Sequence, residues 1–195
     1  LEAQGGAVVE VNAGPGLLMH LKPAVGAPRP VGRAIVDHLF PEDHGNEAGR
    51  IPVIGVAGSM GTQTVARLVA WLIHLSGRYV GLACRDGLFL DRRRVAHGNC
   101  AGFESARRLL MNVAVEAAVI ENGAESILRD GLAYDRCQVG IVTDMEGAQG
   151  LAEFDIASTD QLAKVLRTQV DVVLQDGVAV LNAADALVAA LAPLC

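Results

Sequence analysis

Apolar and polar positions change their period partway along the chain, and the change divides it. From Ile51 onward, short apolar runs bounded by turn residues alternate with stretches of helical period. Val53–Ala57 reads as a buried strand, and Gly61–Ser76 as a helix in which Leu68, Leu72 and Leu75 recur on one stripe. Tyr79–Cys84 is the next predicted strand, and residues 88–95 a small hairpin ending in Arg92-Arg93-Arg94. Phe103–Met111 reads as a helix, Ala117–Glu121 as a strand, Ile127–Gly131 as a short helix and Val139–Thr143 as a strand. Thr159–Gln169 is a predicted helix with Thr159 as its cap. Two short strands, Asp171–Leu174 and Val178–Leu181, and a helix Ala183–Leu191 complete the order. Repeated β–α alternation predicts an α/β fold with a mostly parallel, doubly wound sheet. Ligands of such sheets sit beyond the carboxyl ends of the strands, here Gly58, Asp86, Glu121 and Thr143.

Before residue 51 the pattern is poorer. One strand, Ala7–Val11, runs into the turn Asn12-Ala13-Gly14-Pro15-Gly16. Residues 23–50 hold Pro23, Pro28, Pro30 and Pro41, with a short predicted helix Gly32–Leu39 among them. Pro41–Gly49 is polar and rich in helix breakers, and reads as a linker.

Composition narrows the function classes. The chain has 195 residues, 51% of them apolar, with few aromatics and a formal net charge of −6. An acidic domain is a poor partner for nucleic acid, whose phosphates supply much of the affinity. Arg92-Arg93-Arg94 is the one basic run and reads as a solvated hairpin tip. Cys84, Cys100, Cys137 and Cys195 are widely spaced and form no CxxC pair, which predicts neither a structural zinc site nor a disulfide framework, and so a cytoplasmic location. No apolar run reaches the ~20 residues that span a bilayer. The chain opens on Leu1 rather than Met, so a piece of a longer polypeptide is expected.

The candidate chemistry lies in Gly58-Ser59-Met60-Gly61-Thr62-Gln63-Thr64, between the first strand and helix of the alternating region. A glycine turn feeding a helix N-terminus is the layout of a phosphate-binding loop. A working ATP loop has lysine after its second glycine and then a metal-binding hydroxyl, whereas this one has Thr62 and Gln63.

Four segments together resemble the central ATP-binding domain of the Mur ligase superfamily, most specifically that of the cyanophycin synthetase family. The family loop G-T-N-G-K-T-T stands here as Gly58–Thr64. Its E-T-A-R-G-G-I-L-R is similar to the run from Glu121 to Arg129, its T-N-I-x-x-D-H-L-G to the run from Thr143 to Leu151, and its A-V-L-N-A-D-D-P to the run from Ala179 to Ala186. Upstream, Glu10-Val11-Asn12 resembles the E-x-N on the last strand of an ATP-grasp domain. The resemblance implies three parts: residues 1–22 as the end of an ATP-grasp domain, 23–50 as a linker, and 51–195 as a Mur-ligase-like central domain incomplete at its C-terminal end. It implies ATP and Mg²⁺ as cofactors, with Glu121, Glu10 and Asn12 as family metal ligands. It also implies partners: the remainder of the ATP-grasp domain, a Mur C-terminal domain and further copies in a homo-oligomer.

The departures from the family fall on the charged positions. Lysine becomes Thr62 and the metal hydroxyl Gln63; the arginine of A-R-G-G becomes Ala124 beside Glu125, and the histidine of D-H-L-G becomes Gln149. The expectation is a degenerate amide-ligase domain that binds Mg-ATP weakly or not at all, has no catalytic residues and plays a structural part. Two alternatives remain: an active ligase in which Arg67 or Arg85 replaces the lysine, and a nucleotide- or anion-binding module without turnover.

Overall fold

The computed structural model describes residues 5, 10–39 and 49–194. The chain divides into two compact units after Arg50. In the first, helices α1 (Leu18–Leu21) and α2 (Val31–Leu39) bury no residue, and the Arg29 amide donates to the His20 carbonyl at 2.8 Å. Of the strand expected at 7–11, Glu10 and Val11 are in no strand, and residues 7–9 lie outside the described residues, as do residues 41–48 of the expected linker.

The second unit is a seven-stranded sheet in the order β4-β3-β2-β5-β1-β6-β7. Its strands are β1 (Val53–Ala57), β2 (Val80–Cys84), β3 (Gly87–Leu90), β4 (Arg93–His97), β5 (Ala117–Asn122), β6 (Cys137–Val142) and β7 (Val173–Leu181). β2, β5, β1, β6 and β7 run parallel, and the β3–β4 hairpin continues the sheet antiparallel beyond β2. The doubly wound α/β reading therefore holds. β1, β2 and β5 are buried on both faces, which is why they read as unbroken apolar runs.

Helix α3 (Thr62–Leu75) packs on β1, β2 and β5. It shares a core with Ile54, Val56, Val80, Leu82 and Val119. The other face carries α4 (Phe103–Leu110), α5 (Ala124–Asp130) and α6 (Thr159–Asp171). A 3-10 helix (Ala148–Phe154) precedes α6, and α7 (Ala186–Ala189) follows β7.

Several local expectations are corrected. The leucine stripe of α3 points away from the sheet: Leu68, Leu72 and Leu75 are each more than half exposed, while Thr62, Ala66 and Ala70 face inward. Branched strand residues fill that side, so small helix residues give the close approach. The cap of α6 is Ser158, not Thr159; its hydroxyl accepts from the Gln161 amide in a capping box. The helix at 127–131 begins three residues earlier, at Ala124. The two strands expected across 171–181 are one strand, β7, with a register irregularity against β6.

Candidate functional site

β1, β5 and β6 end level, with Ala57 paired to both Asn122 and Val142. The first turn after each strand therefore opens onto one cleft. The β1–α3 loop enters it through Gly58 at φ +140° and leaves through Gly61 at φ +72°. A Cβ at Gly58 would overlap the Thr143 hydroxyl, so the glycine is what lets the end of β6 lie against the loop.

Asp144 grips this loop. Its carboxylate accepts from the Ser59 amide at 3.1 Å, the Met60 amide at 2.9 Å and the Ser59 hydroxyl. The Thr143 hydroxyl and the Glu146 amide donate to it as well. Burial pushes the Asp144 carboxyl up, but the Ser59 hydroxyl, the Met60 amide and the remaining donors outweigh it and hold the group below its usual range. A phosphate-binding loop directs such amides at a phosphate; here two of them end on a side chain of the same domain.

Glu121, the last acidic residue of β5, has no exposed surface and is paired on both oxygens. Oε1 accepts from the Thr62 hydroxyl at 2.7 Å and lies 3.0 Å from Arg85 Nε. Oε2 accepts from the Arg85 amide at 2.8 Å. Thr62 is itself 1% exposed, so the residue standing in the lysine position is a buried partner of the carboxylate. Arg85 also donates to the Ser59 carbonyl at 3.3 Å, which ties β2, the loop and β5 together.

A second buried polar group lies on the opposite face of the sheet, where Asn122, next after Glu121 in β5, points toward α6. Asn122 Nδ2 donates to the Tyr134 hydroxyl and to Gln169 Oε1, each at 2.8 Å, and the Tyr134 hydroxyl donates to the same oxygen. Gln169 Nε2 reaches Cys137 Sγ at 3.5 Å. Gly55 makes room for it, since a Cβ there would overlap Tyr134 and Gln169. No buried side-chain nitrogen or oxygen among the described residues lacks a partner.

The cleft beside the loop encloses about 530 Å³, and Gly58, Ser59, Arg85, Ala124, Glu125 and Arg129 line part of it. Of the two arginines considered as lysine substitutes, only Arg85 reaches the loop; Arg67 pairs with Asp86. Glu125 pairs with Arg129 at 2.9 Å. Gln63 is half-buried and Thr64 exposed in the first turn of α3, and Gln149 belongs to the 3-10 helix. Glu10 and Asn12 are exposed and belong to the other unit. Among the described residues, no group of three or more His, Cys, Asp or Glu side chains is placed to hold a metal ion.

Sequence reasoning missed Asp144 as a site residue. The signal was an acid where the family motif has an amide, but its amide partners lie 84 and 85 residues earlier in the chain.

The fold is that of a Mur ligase domain. It matches the structure of a UDP-N-acetylmuramoyl-L-alanyl-D-glutamate–2,6-diaminopimelate ligase with a TM-score of 0.59 and 17% identity, over 73% of this chain and 29% of that one. In sequence the chain is a relative of the cyanophycin synthetases. It is 42% identical over 188 residues to the cyanophycin synthetase of Geminocystis herdmanii and 41% identical over 192 residues to that of Synechocystis sp.. These matches cover 96% and 98% of this chain but only 21% and 22% of the relatives, so it spans about a fifth of their length. No family model matches the chain. No helix among the described residues is long and apolar enough to cross a membrane.

Proposed function

We propose that this segment is a structural, non-catalytic form of the Mur-ligase central domain within a cyanophycin-synthetase-like protein. The observation that carries the reading is the state of Glu121. Its carboxylate is fully buried, its two oxygens accept from the Thr62 hydroxyl and the Arg85 amide, and the Arg85 guanidinium beside Oε1 neutralises its charge. Mg²⁺ gives up its water reluctantly and is not drawn to a carboxylate already neutralised by an arginine. Thr62 supplies no charge for the β/γ-phosphates, and Ala124 supplies none in place of the family arginine. The residues present therefore do not fit Mg-ATP: the arginines that line the cleft, Arg85 and Arg129, are already paired with Glu121 and Glu125, which leaves no cation committed to the phosphates. In the intact family, ATP activates a carboxylate as an acyl phosphate and an amine displaces the phosphate to form an amide. On this reading that work falls to other parts of the longer protein. This domain then supplies packing surface for an ATP-grasp domain, a C-terminal ligase domain or a further copy, in a cytoplasmic assembly.

Arg85 favours one competing reading, an active ligase with a relocated cation, because its guanidinium stands beside the loop. Its ion pair with buried Glu121 weighs against that, since the charge is already neutralised.

Repair of the lost groups tests the proposal. Thr62→Lys, Gln63→Thr and Ala124→Arg together return two cations and a metal-binding hydroxyl. Each charge-assisted contact contributes ~1.5–3 kcal/mol, so Mg-ATP affinity should rise by about two orders of magnitude or more over the parent. A folded triple variant that binds no better than the parent would show that the loss does not lie in these residues. ATP hydrolysis by the unmodified chain would support the competing reading.

A further inference from the structure

A second cluster of chemistry lies away from the cleft, between α3 and the β3–β4 hairpin. A notch of about 210 Å³ is floored by Ala70 and Leu82, walled by Trp71 and Phe89, and rimmed by Arg67 and Arg92. It has room for about seven waters, less than a cofactor needs and enough for one side chain.

The charges around it are unevenly answered. Arg67 is paired with Asp86, and Asp91 with His74 at 2.6 Å. Arg92, Arg93 and Arg94 have no ion pair among the described residues and are exposed. Two of them rest on the aromatic walls. The Arg92 guanidinium lies 5.9 Å from the Trp71 ring centre, and that of Arg94 lies 5.0 Å from Phe89. Arg94 turns one nitrogen toward His97 Nδ1 at 3.4 Å and keeps its other donors. A guanidinium drawn to a ring face by cation–π attraction keeps N–H edges to spare, which suits it to carboxylates.

We propose that the notch and the arginine hairpin form a docking surface for an acidic peptide segment. One aromatic or branched aliphatic side chain enters the apolar notch, and carboxylates on either side of it meet Arg92 and Arg94. Charge complementarity selects this occupant. A second copy of the hairpin would oppose arginine to arginine, and a notch with room for one apolar side chain fits a peptide better than a phosphate backbone.

Trp71 is the only tryptophan in the chain and lines the notch, so its fluorescence reports on this site alone. The peptide Asp-Asp-Phe-Asp-Asp is titrated into the full chain. A saturable change in Trp71 emission is expected. Added salt should weaken it, and the double variant Arg92→Ser/Arg94→Ser should weaken it by about tenfold or more. Circular dichroism confirms that the variant is folded. The proposal is overturned by no saturable response at millimolar peptide, by equal affinity in the folded variant, or by equal binding of Lys-Lys-Phe-Lys-Lys. Tighter binding of a thymidine oligonucleotide would replace the peptide with nucleic acid and overturn it too.

Discussion

The Thr62 hydroxyl meets the Glu121 carboxylate at 2.7 Å, with both side chains out of water. The site thus contains a buried, satisfied charge cluster where its relatives' motif has a lysine. Replacing Thr62 with valine keeps the shape and removes one hydrogen bond to a buried charge, at a cost of about 2 kcal/mol. For a chain of this size that lowers the melting temperature by roughly 4–8 °C. Thr62→Ser, which keeps the hydroxyl, should stay closer to the parent. Equal melting temperatures for the parent and the valine variant would mean that the bond contributes nothing.

The polar cluster of Asn122, Tyr134 and Gln169 behaves as a unit. Gln169→Leu leaves Asn122 and the Tyr134 hydroxyl without their shared acceptor, and should destabilise by ~2–4 kcal/mol. The double variant Gln169→Leu/Asn122→Leu should then cost less than the sum of the two single changes, which a double-mutant cycle by urea denaturation measures. Strict additivity would mean that the residues act separately.

Asp144 sets a pH dependence. Its folded pKa lies below the ordinary value of about 4, so the unfolded chain takes up the proton first as pH falls. Its contribution is complete above about pH 4 and disappears as pH drops through the folded value. Asp144→Asn should therefore melt below the parent at pH 7, and the gap should close on the acid side of pH 4. A gap that stays constant from pH 7 to pH 3 would contradict this.

The cysteines give a chemical readout. Burial pushes the Cys137 thiol up to about 11 and also raises Cys84. At pH 8 only about one Cys137 in a thousand is thiolate. Iodoacetamide should leave both unlabelled in the native chain and label them quickly in urea, as read by mass spectrometry of peptides. Rapid native labelling of Cys137 would place it outside the core.

Local signals reached the fold further than the site. Buried apolar runs bounded by turn residues located β1 at its observed limits, Val53–Ala57. The alanine-rich end misled, because most of residues 183–191 are strong helix formers. The Asn182 side chain instead accepts from the Ala184 amide, and Asp185 caps a helix of only four residues, Ala186–Ala189. The cap of α6 was legible, since Ser158 stands three residues before Gln161, as a capping box requires. The loop glycines were legible from their own spacing. The grip of Asp144 on the loop and of Arg85 on Glu121 was not, because contacts between distant strand ends leave no periodic trace.

Calorimetry of the unmodified chain with millimolar Mg-ATP asks the question most directly. If Arg85 neutralises a buried Glu121 and the loop lacks its cation, no measurable binding heat is expected. A dissociation constant in the low micromolar range would contradict a domain that has given up nucleotide chemistry for structure.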